Sequence, residues 1–201
     1  MLRRLVFLLL LSAATPPAVA EPAAEPPAGE LLIASAAIQD PRFQHSVILL
    51  LRHDASGAFG IVINRPLGER TIAELLAESG GNQDPADSGI EGRIRVFLGG
   101  PVEPQYGFLI HGGDYRRGET LSVGNGFAMT STKEVLRDIG QHHGPAKYLF
   151  ALGYAGWGAG QLEDEIARRD WFTAPADPDL VFDEERGAVW ERALARRTRE
   201  L

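Results

Sequence analysis

The 201-residue chain contains no cysteine. This absence excludes a disulfide framework, a Cys-ligated zinc or iron–sulfur site, a catalytic thiol and a lipid attached to cysteine. Positive charge is also scarce, because 20 Lys and Arg stand against 27 Asp and Glu, which gives a formal net charge of −7. That sign disfavours a protein that binds nucleic acid by neutralising phosphates, so we do not expect a nucleic-acid partner. The remaining composition is typical of one globular domain.

The apolar run that could enter a membrane lies at the N-terminus. Arg3 and Arg4 precede the run Leu5–Leu11, and Ala18-Val19-Ala20 supplies the small residues that a signal peptidase accepts. The run is too short to cross roughly 30 Å of hydrocarbon. We predict a signal peptide over residues 1–20, an extended Pro/Ala linker with nothing to bury over 21–29, and one domain over 30–201. The mature chain should be periplasmic or secreted, without a transmembrane segment. If the first segment is not a functional signal, the chain is cytoplasmic.

Apolar runs bounded by turn residues predict the strands. They cover Leu31–Ile38, His45–His53, Phe59–Asn64, Arg93–Leu98, Tyr106–His111, Leu121–Val123, Phe127–Thr130, Lys147–Tyr154 and Leu180–Phe182. The turn at residues 54–57 joins the second and third runs into a hairpin. Residues 99–104 hold two glycines and two prolines and predict a shaped loop without regular structure.

Capping patterns place the helices. Thr71 with Glu74 and Ser131 with Glu134 have the spacing of a capping box. The predicted helices are Ile72–Ser79, a second from Ser131 to about His143, Gln161–Arg169 and Glu184–Arg199. Because strict alternation of strand and helix is absent, the fold class is α+β, a single compact domain with a mixed, hairpin-rich β-sheet flanked by helices.

The most unusual segment is Gly153-Tyr154-Ala155-Gly156-Trp157-Gly158-Ala159-Gly160. It predicts a glycine turn between a strand and a helix. A nucleotide-binding loop is disfavoured, because Gln161 stands where G-x-G-x-x-G needs glycine and acidic residues fill the first helical turn. Two alternatives stay open. Tyr154 and Trp157 fill the core, or both rings line a recess that binds a small, partly apolar ligand or a peptide segment.

Several separate motifs, in order, carry a resemblance to a known family. They are Leu31-Leu32-Ile33-Ala34-Ser35, Gln39-Asp40-Pro41 with Phe43 and Ser46, Gly60-Ile61-Val62-Ile63-Asn64-Arg65-Pro66-Leu67, Gly99-Gly100-Pro101-Val102, Thr130-Ser131, and Gly153 to Trp157 with Gln161-Leu162-Glu163 and Trp171. Over nearly all of residues 29–183 the chain resembles the YqgE/AlgH family. It departs from the family pattern in its N-terminal extension and in Ala36, where the family has proline.

The resemblance implies one α+β domain on a mixed sheet, with no agreed enzymatic activity. Some relatives are named as transcriptional regulators of exopolysaccharide (alginate) production. The family pattern has no recognised DNA-binding motif, and this sequence shows no convincing helix-turn-helix.

Residues with catalytic potential are few. His111-Gly112-Gly113-Asp114 places a histidine and a carboxylate at a strand end, where His111 could act as a base, or could be a structural histidine bonded to loop carbonyls. One His and one Asp make an incomplete metal site, so we predict neither metal nor cofactor. Arg65, in Asn64-Arg65-Pro66, could clamp a carboxylate or pair with an acidic residue across the sheet.

These observations favour a non-catalytic module that binds an unknown small molecule or protein. The candidate site residues are Asn64, Arg65, Gly100, His111, Tyr154, Trp157 and Gln161. The alternatives are a hydrolase that uses His111 and Asp114, and a transcriptional regulator of the kind named among the relatives.

Overall fold

The computed structural model describes residues 26–80, 87 and 89–198. The predicted signal peptide and the first part of the linker lie outside these residues. The described chain forms ten strands: β1 (Glu30–Ala34), β2 (Val47–Asp54), β3 (Gly57–Val62), β4 (Pro66–Thr71), β5 (Arg93–Leu98), β6 (Val102–Gly112), β7 (Leu121–Gly124), β8 (Phe127–Thr130), β9 (Tyr148–Gly158) and β10 (Trp171–Pro175).

Five short α-helices accompany the strands in the part of the chain that the structure describes. They are α1 (Ile72–Gly80), α2 (Glu134–Gly140), α3 (Gln161–Ala167), α4 (Pro178–Val181) and α5 (Val189–Ala195). The Thr71/Glu74 capping box forms as predicted, since each backbone N–H donates to the other side chain, at 3.0 and 3.2 Å. No helix of the described chain has the length and apolarity that a bilayer span requires.

The strands build one curled, mostly antiparallel sheet. Its main path runs β10-β1-β2-β3-β9-β6-β8-β7, and β5 joins β4 to β9. The pairing of β5 with β9 is parallel, which makes the sheet mixed. The hairpin of β2 and β3 forms as predicted. The α+β class expected from the irregular order of elements is therefore confirmed.

Strand alternation divides the core between the two faces of the sheet. On one face, Leu31, Leu49 and Ile61 pack under α4 and α5. On the other face, Leu32, Ile48 and Val62 pack with α3 and the segment that precedes β2. Farther along this second face, α1 and α2 cover residues of β5, β6 and β9.

The end of the predicted linker is ordered. Pro26 and Gly29 are buried, the Pro26 carbonyl contacts Nδ1 of His53 at 2.9 Å, and the Gly29 N–H donates to Leu50 at 2.8 Å. The expectation that this segment has nothing to bury is therefore wrong for residues 26–29, which pack against β2.

The glycine-rich segment is strand rather than turn up to Gly158. β9 runs through it, with Ala58 opposite Trp157 and Gly60 opposite Ala155. Gly153 has a φ of +72°, and an added Cβ there would lie 2.6 Å from the Gly100 carbonyl oxygen. Glycine here thus permits a left-handed residue and a close backbone approach, so the strand continues instead of ending at Tyr154.

Two strands escaped prediction, and one predicted strand is wrong. β4 is almost wholly exposed and β10 is five residues long, so neither has a long apolar run. Residues 180–182, predicted as strand, lie in and just after α4, which Asp177 caps by accepting the Asp179 N–H at 2.9 Å.

The structure also differs from the prediction in the first residues of β6 and α2 and in the extent of the C-terminal helix. β6 begins at Val102 and includes Pro104, because its register with β9 is interrupted between Val102 and Gly107 and no ladder bond is required of the proline. α2 begins at Glu134 with Lys133 as N-cap, so the Ser131/Glu134 capping box does not form. The C-terminal helix is limited to α5, and a 3₁₀ turn over Arg186–Ala188 precedes it.

Candidate functional site

A cleft of about 640 Å³ opens between the segment that precedes β2, the end of β9 and the helix α3. Its lining includes two of the residues predicted for a site, Trp157 and Gln161. The apolar part is completed by side chains from distant parts of the chain, Ile38, Phe43 and Trp171.

One carboxylate organises the base of this cleft. The indole N–H groups of Trp157 and Trp171 both donate to Oε2 of Glu165, each at 2.8 Å. Oε1 of the same carboxylate accepts a bond from Nε2 of Gln161 at 2.9 Å. Because every polar group at the base has a partner, both indole rings are held in one orientation.

Ion pairs surround the apolar base. Asp40 pairs with Arg42 at 2.6 Å, and Asp170 pairs with Arg168 at 3.1 Å. The bond from the Arg42 guanidinium lowers the pKa of Asp40. The cleft therefore offers aromatic surface inside and charges of both signs at its opening.

Asn64 and Arg65 form hydrogen bonds to the backbone of the segment that precedes β2, which is one wall of the cleft. Oδ1 of Asn64 accepts the Val47 N–H at 2.9 Å, and Nδ2 donates to the His45 carbonyl at 2.8 Å. Arg65 donates to the backbone carbonyls of Arg42 and Gln44. Both side chains thus brace residues 42–47, and Arg65 also lines a smaller cavity beside the cleft.

Gly100 lies beside the cleft. It lines a cavity of about 100 Å³ that shares Arg42 and Pro101 with the lining of the larger cleft. An added Cβ at Gly100 would lie 2.1 Å from the Tyr154 carbonyl carbon, so glycine lets two backbones meet here.

Tyr154 does not line the cleft. It packs with Phe59 and Phe108 at ring-centroid distances of 4.7 and 6.0 Å. Residues 154 and 157 are three apart on a strand and point to opposite faces of the sheet. The expectation that both rings share one recess is wrong, because the segment is strand. Tyr154 has the core-filling role of the other alternative.

His111 is fully buried and lies apart from the cleft. Its Nδ1 contacts the Gly112 carbonyl oxygen at 2.7 Å and its Nε2 contacts Oγ1 of Thr130 at 3.0 Å. Burial lowers the pKa of the ring. Asp114 accepts the Ala146 N–H at 2.8 Å. His111 therefore has a structural role within β6, where its ring contacts one backbone carbonyl and a threonine hydroxyl, and Asp114 holds the backbone of the segment before β9.

Comparison with known proteins decides the family. A family model described as AlgH-like matches residues 31–201. The chain belongs to the AlgH-like family. It is 45% identical to a UPF0301 protein of Jannaschia sp. (strain CCS1), a match that covers 83% of this chain and 85% of that protein. A UPF0301 protein of Ruegeria pomeroyi is 44% identical and covers 83% of this chain and 89% of its own length.

Solved structures of similar fold accompany the AlgH-like sequences. The solution structure of the AlgH protein from Pseudomonas aeruginosa superimposes with a TM-score of 0.69 at 38% identity, over 84% of this chain and 87% of that one. The crystal structure of a Corynebacterium diphtheriae protein has a TM-score of 0.66 at 22% identity, over 87% and 88% of the two chains, and shows the fold alone. The resemblance to the YqgE/AlgH family is thus confirmed.

Glu165 is the residue of this AlgH-like site that sequence reasoning missed. Trp171 and Phe43 stood among the family motifs, but no spacing rule connects them to Trp157. They meet because β10 pairs with β1 and the segment after β1 folds back, which brings the two indole rings to a centroid distance of 5.9 Å.

Proposed function

We propose that this AlgH-like protein is a non-catalytic binding module whose aromatic cleft receives a small, partly apolar molecule. The observation that carries the proposal is the pair of indole rings fixed by Glu165 at the base of a 640 Å³ cleft. This volume lies within the range of cavities that hold small ligands.

The chemistry of the lining indicates the ligand class. Phe43 is partly exposed and presents aromatic surface beside the rings of Trp157 and Trp171, which are 7% and 2% exposed, and this surface favours a flat apolar group. Arg42 and Asp170 at the opening carry opposite charges and favour polar substituents that remain near water. A ligand of this kind places its ring inside and its polar atoms at the opening.

The hydrolase alternative gains no support from the geometry. Both ring nitrogens of His111 are occupied, and its ring is sealed from solvent. A general base must reach the proton that it removes, which this ring cannot do. Arg65 and Gln161 do not join it in a common cavity.

Nuclear magnetic resonance of the indole N–H groups tests the binding proposal. The chain has three tryptophans, and Trp190 donates to the Ala34 carbonyl at 2.8 Å outside the cleft. Addition of a fragment library built on indole, quinoline and benzamide is expected to shift the signals of Trp157 and Trp171 and leave that of Trp190 in place. Shifts spread evenly over all three, or none, would contradict the proposal.

A blocking variant sharpens this test. Ala37 is exposed and lines the cleft, so Ala37→Trp should fill it without disturbing the core. Ala55 is exposed in the turn between β2 and β3, and Ala55→Trp is the matched control. Fragment binding should be lost in the first variant and kept in the second.

We also propose that the protein acts in the periplasm, on the strength of the signal-peptide pattern in residues 1–20. Cell fractionation with N-terminal sequencing should recover a chain that begins at Glu21 in the periplasmic fraction. A full-length chain in the cytoplasm would refute this location and would bring transcriptional control back into consideration. In that case a duplex gel-shift assay at low salt tests it.

A further inference from the structure

Positive side chains collect where the parallel strands β5 and β9 begin. The strands pair with Val96 opposite Phe150. Ile94 and Val96 point into the core under α1 and α2, whereas Arg93 and Arg95 alternate with them and are exposed. The alternation of β5 therefore places guanidinium groups on the opposite face of the sheet.

A second cavity, of about 450 Å³, lies at this position. Its lining includes four cationic side chains and a single carboxylate, namely Arg93, Arg95, Lys147, Arg186 and Glu184. The whole chain has a net charge of −7, so this local excess of positive charge opposes the overall sign. A cavity lined by one sign of charge concentrates ligands of the opposite sign.

Arg186 is held rigidly in this cavity. Its Nη1 donates to the Val181 carbonyl at 2.8 Å, and its guanidinium lies 4.8 Å from the centre of the Phe97 ring. Its Nε is buried and has no acceptor among the described residues. Burial lowers the pKa of Arg186 to about 10; the charge of Glu184 opposes this shift and that of Arg95 adds to it. An anion in the cavity would add to the counter-charge that the exposed Glu184 supplies.

The carboxylates that pair with the other cations lie at the surface. Glu184 contacts Arg95 at 3.3 Å and is 88% exposed, Asp179 contacts Lys147 at 3.5 Å and is 80% exposed, and Glu69 contacts Arg93 at 3.4 Å and is 60% exposed. Ion pairs of such exposed groups are weak and are screened by salt. An entering anion can therefore replace these carboxylates at little cost.

Aromatic side chains complete the wall. Phe97 and the half-buried Phe182 line the cavity, and both belong to the core on the face to which Arg93 and Arg95 point.

We propose that this basic cavity binds a small organic phosphate. Its phosphate group contacts Arg95, Lys147 and Arg186, and its apolar body lies against Phe182. Guanidinium groups match the geometry of phosphate oxygens, which favours a phosphate monoester. The basic cavity shares no lining residue with the aromatic cleft, so the inference goes beyond the proposed function.

Calorimetric titration with phenyl phosphate, inorganic phosphate and phenol tests the proposal. Phenyl phosphate should bind more tightly than inorganic phosphate, because it adds apolar contact, and phenol should not bind. Arg95→Gln and Lys147→Gln should each weaken phenyl phosphate binding about tenfold, the loss expected for one charged hydrogen bond. Arg186→Lys, which keeps the charge but loses the planar donors, should weaken it as well.

Arg52→Gln is the matched control, since Arg52 is an exposed arginine that pairs with exposed Asp54 outside the cavity. It should change the affinity less than twofold. Phenyl phosphate binding that survives Arg95→Gln and Lys147→Gln, or that falls equally with Arg52→Gln, would overturn the proposal. So would binding that shifts only the indole signals of Trp157 and Trp171. Binding of a DNA duplex through the same arginines without phenyl phosphate binding would assign the surface to nucleic acid instead.

Discussion

The indole rings of Trp157 and Trp171 meet edge to face, with centroids 5.9 Å apart, and share one hydrogen-bond acceptor. Trp157 comes from the end of β9 and Trp171 from the start of β10, so Glu165 of α3 joins two strands that are not neighbours in the sheet. The helix, the strand ends and the aromatic cleft thus depend on the same carboxylate.

Replacement of that carboxylate tests this dependence. Glu165→Gln places an amide N–H₂ where Gln161 now donates, and Gln161 cannot simply reverse because its Oε1 accepts the Gly158 N–H at 3.1 Å. We expect a loss of about 1–3 kcal/mol in the free energy of unfolding, measured with urea. The control Glu119→Gln, at an exposed glutamate, should change it by about 0.5 kcal/mol or less. Equal effects would contradict the role of Glu165.

Arg65 should act on the cleft through its wall. Arg65→Lys replaces a fork that donates to two carbonyls with a single ammonium, so we expect a loss of about 1–2 kcal/mol. Amide exchange should quicken at Phe43 and Ser46, whose N–H groups close the turns of this segment. Arg52→Lys at an exposed site is the control. Unchanged exchange at Phe43 and Ser46 would show that Arg65 does not brace the wall.

The close backbone approach at Gly100 predicts sensitivity to one added methyl group. Gly100→Ala brings a Cβ to 2.1 Å from the carbonyl carbon of Tyr154, and we expect a loss of about 2–4 kcal/mol in chemical denaturation. Gly118→Ala meets nothing within 4 Å and should leave stability nearly unchanged. A tolerated Gly100→Ala would mean that the two backbones can separate.

Burial of His111 makes stability depend on pH. Because burial lowers the folded-state pKa of His111, the unfolded chain takes up a proton first as the pH falls. The contribution to stability is present above the unfolded pKa of about 6.5 and is lost as the pH falls toward the folded pKa. Urea denaturation should be measured at pH 7.5 and 5.5, roughly one unit on each side of that value. The free energy of unfolding should fall less between these two pH values for His111→Gln than for the parent chain. An equal fall in the free energy of unfolding for both chains would refute the role of His111.

Tyr115 should titrate late. Burial and the bond to Asp138 raise its pKa to about 12, and Arg117 donates to its oxygen at 2.9 Å. The protonated phenol stabilises the folded state below the unfolded pKa of about 10, and this contribution is lost as the pH rises through about 12. Ultraviolet titration of the parent chain against Tyr115→Phe should resolve one phenol with this late midpoint. A difference spectrum centred near 10 would contradict it.

The sequence could predict the elements whose burial is continuous. Val47 to Leu51 is apolar at every position because both faces of β2 are covered, and this pattern has few alternatives to a central strand. β4 and β10 carry no such run, since β4 is almost wholly exposed and β10 depends on its pairing with β1. Their formation is decided by tertiary contacts.

The site was predictable only in part, for a similar reason. The glycine-aromatic motif singled out Trp157 and, after it, Gln161. Local sequence could not show that β9 continues through the glycines, and this continuation sends Tyr154 to the other face. In the sequence, Asn64 and Arg65 are polar residues next to a proline. Only the folded chain shows that their side-chain N–H groups donate to the backbone carbonyls of His45 and Gln44.

The strand β5 sets a fixed separation between the basic cavity and the small cavity beside the aromatic cleft. Arg93 and Arg95 line the basic cavity at its start, and Leu98 at its end lines the small cavity beside the aromatic cleft. From Arg93 to Leu98 the strand extends roughly 17 Å at about 3.3 Å per residue. Since β4 and β9 bond to its two edges, β5 cannot slide between them. The aromatic cleft opens on the face covered by α3, whereas Arg93 and Arg95 point to the opposite face, so the sheet itself separates the two cavities and one compact guest cannot contact both.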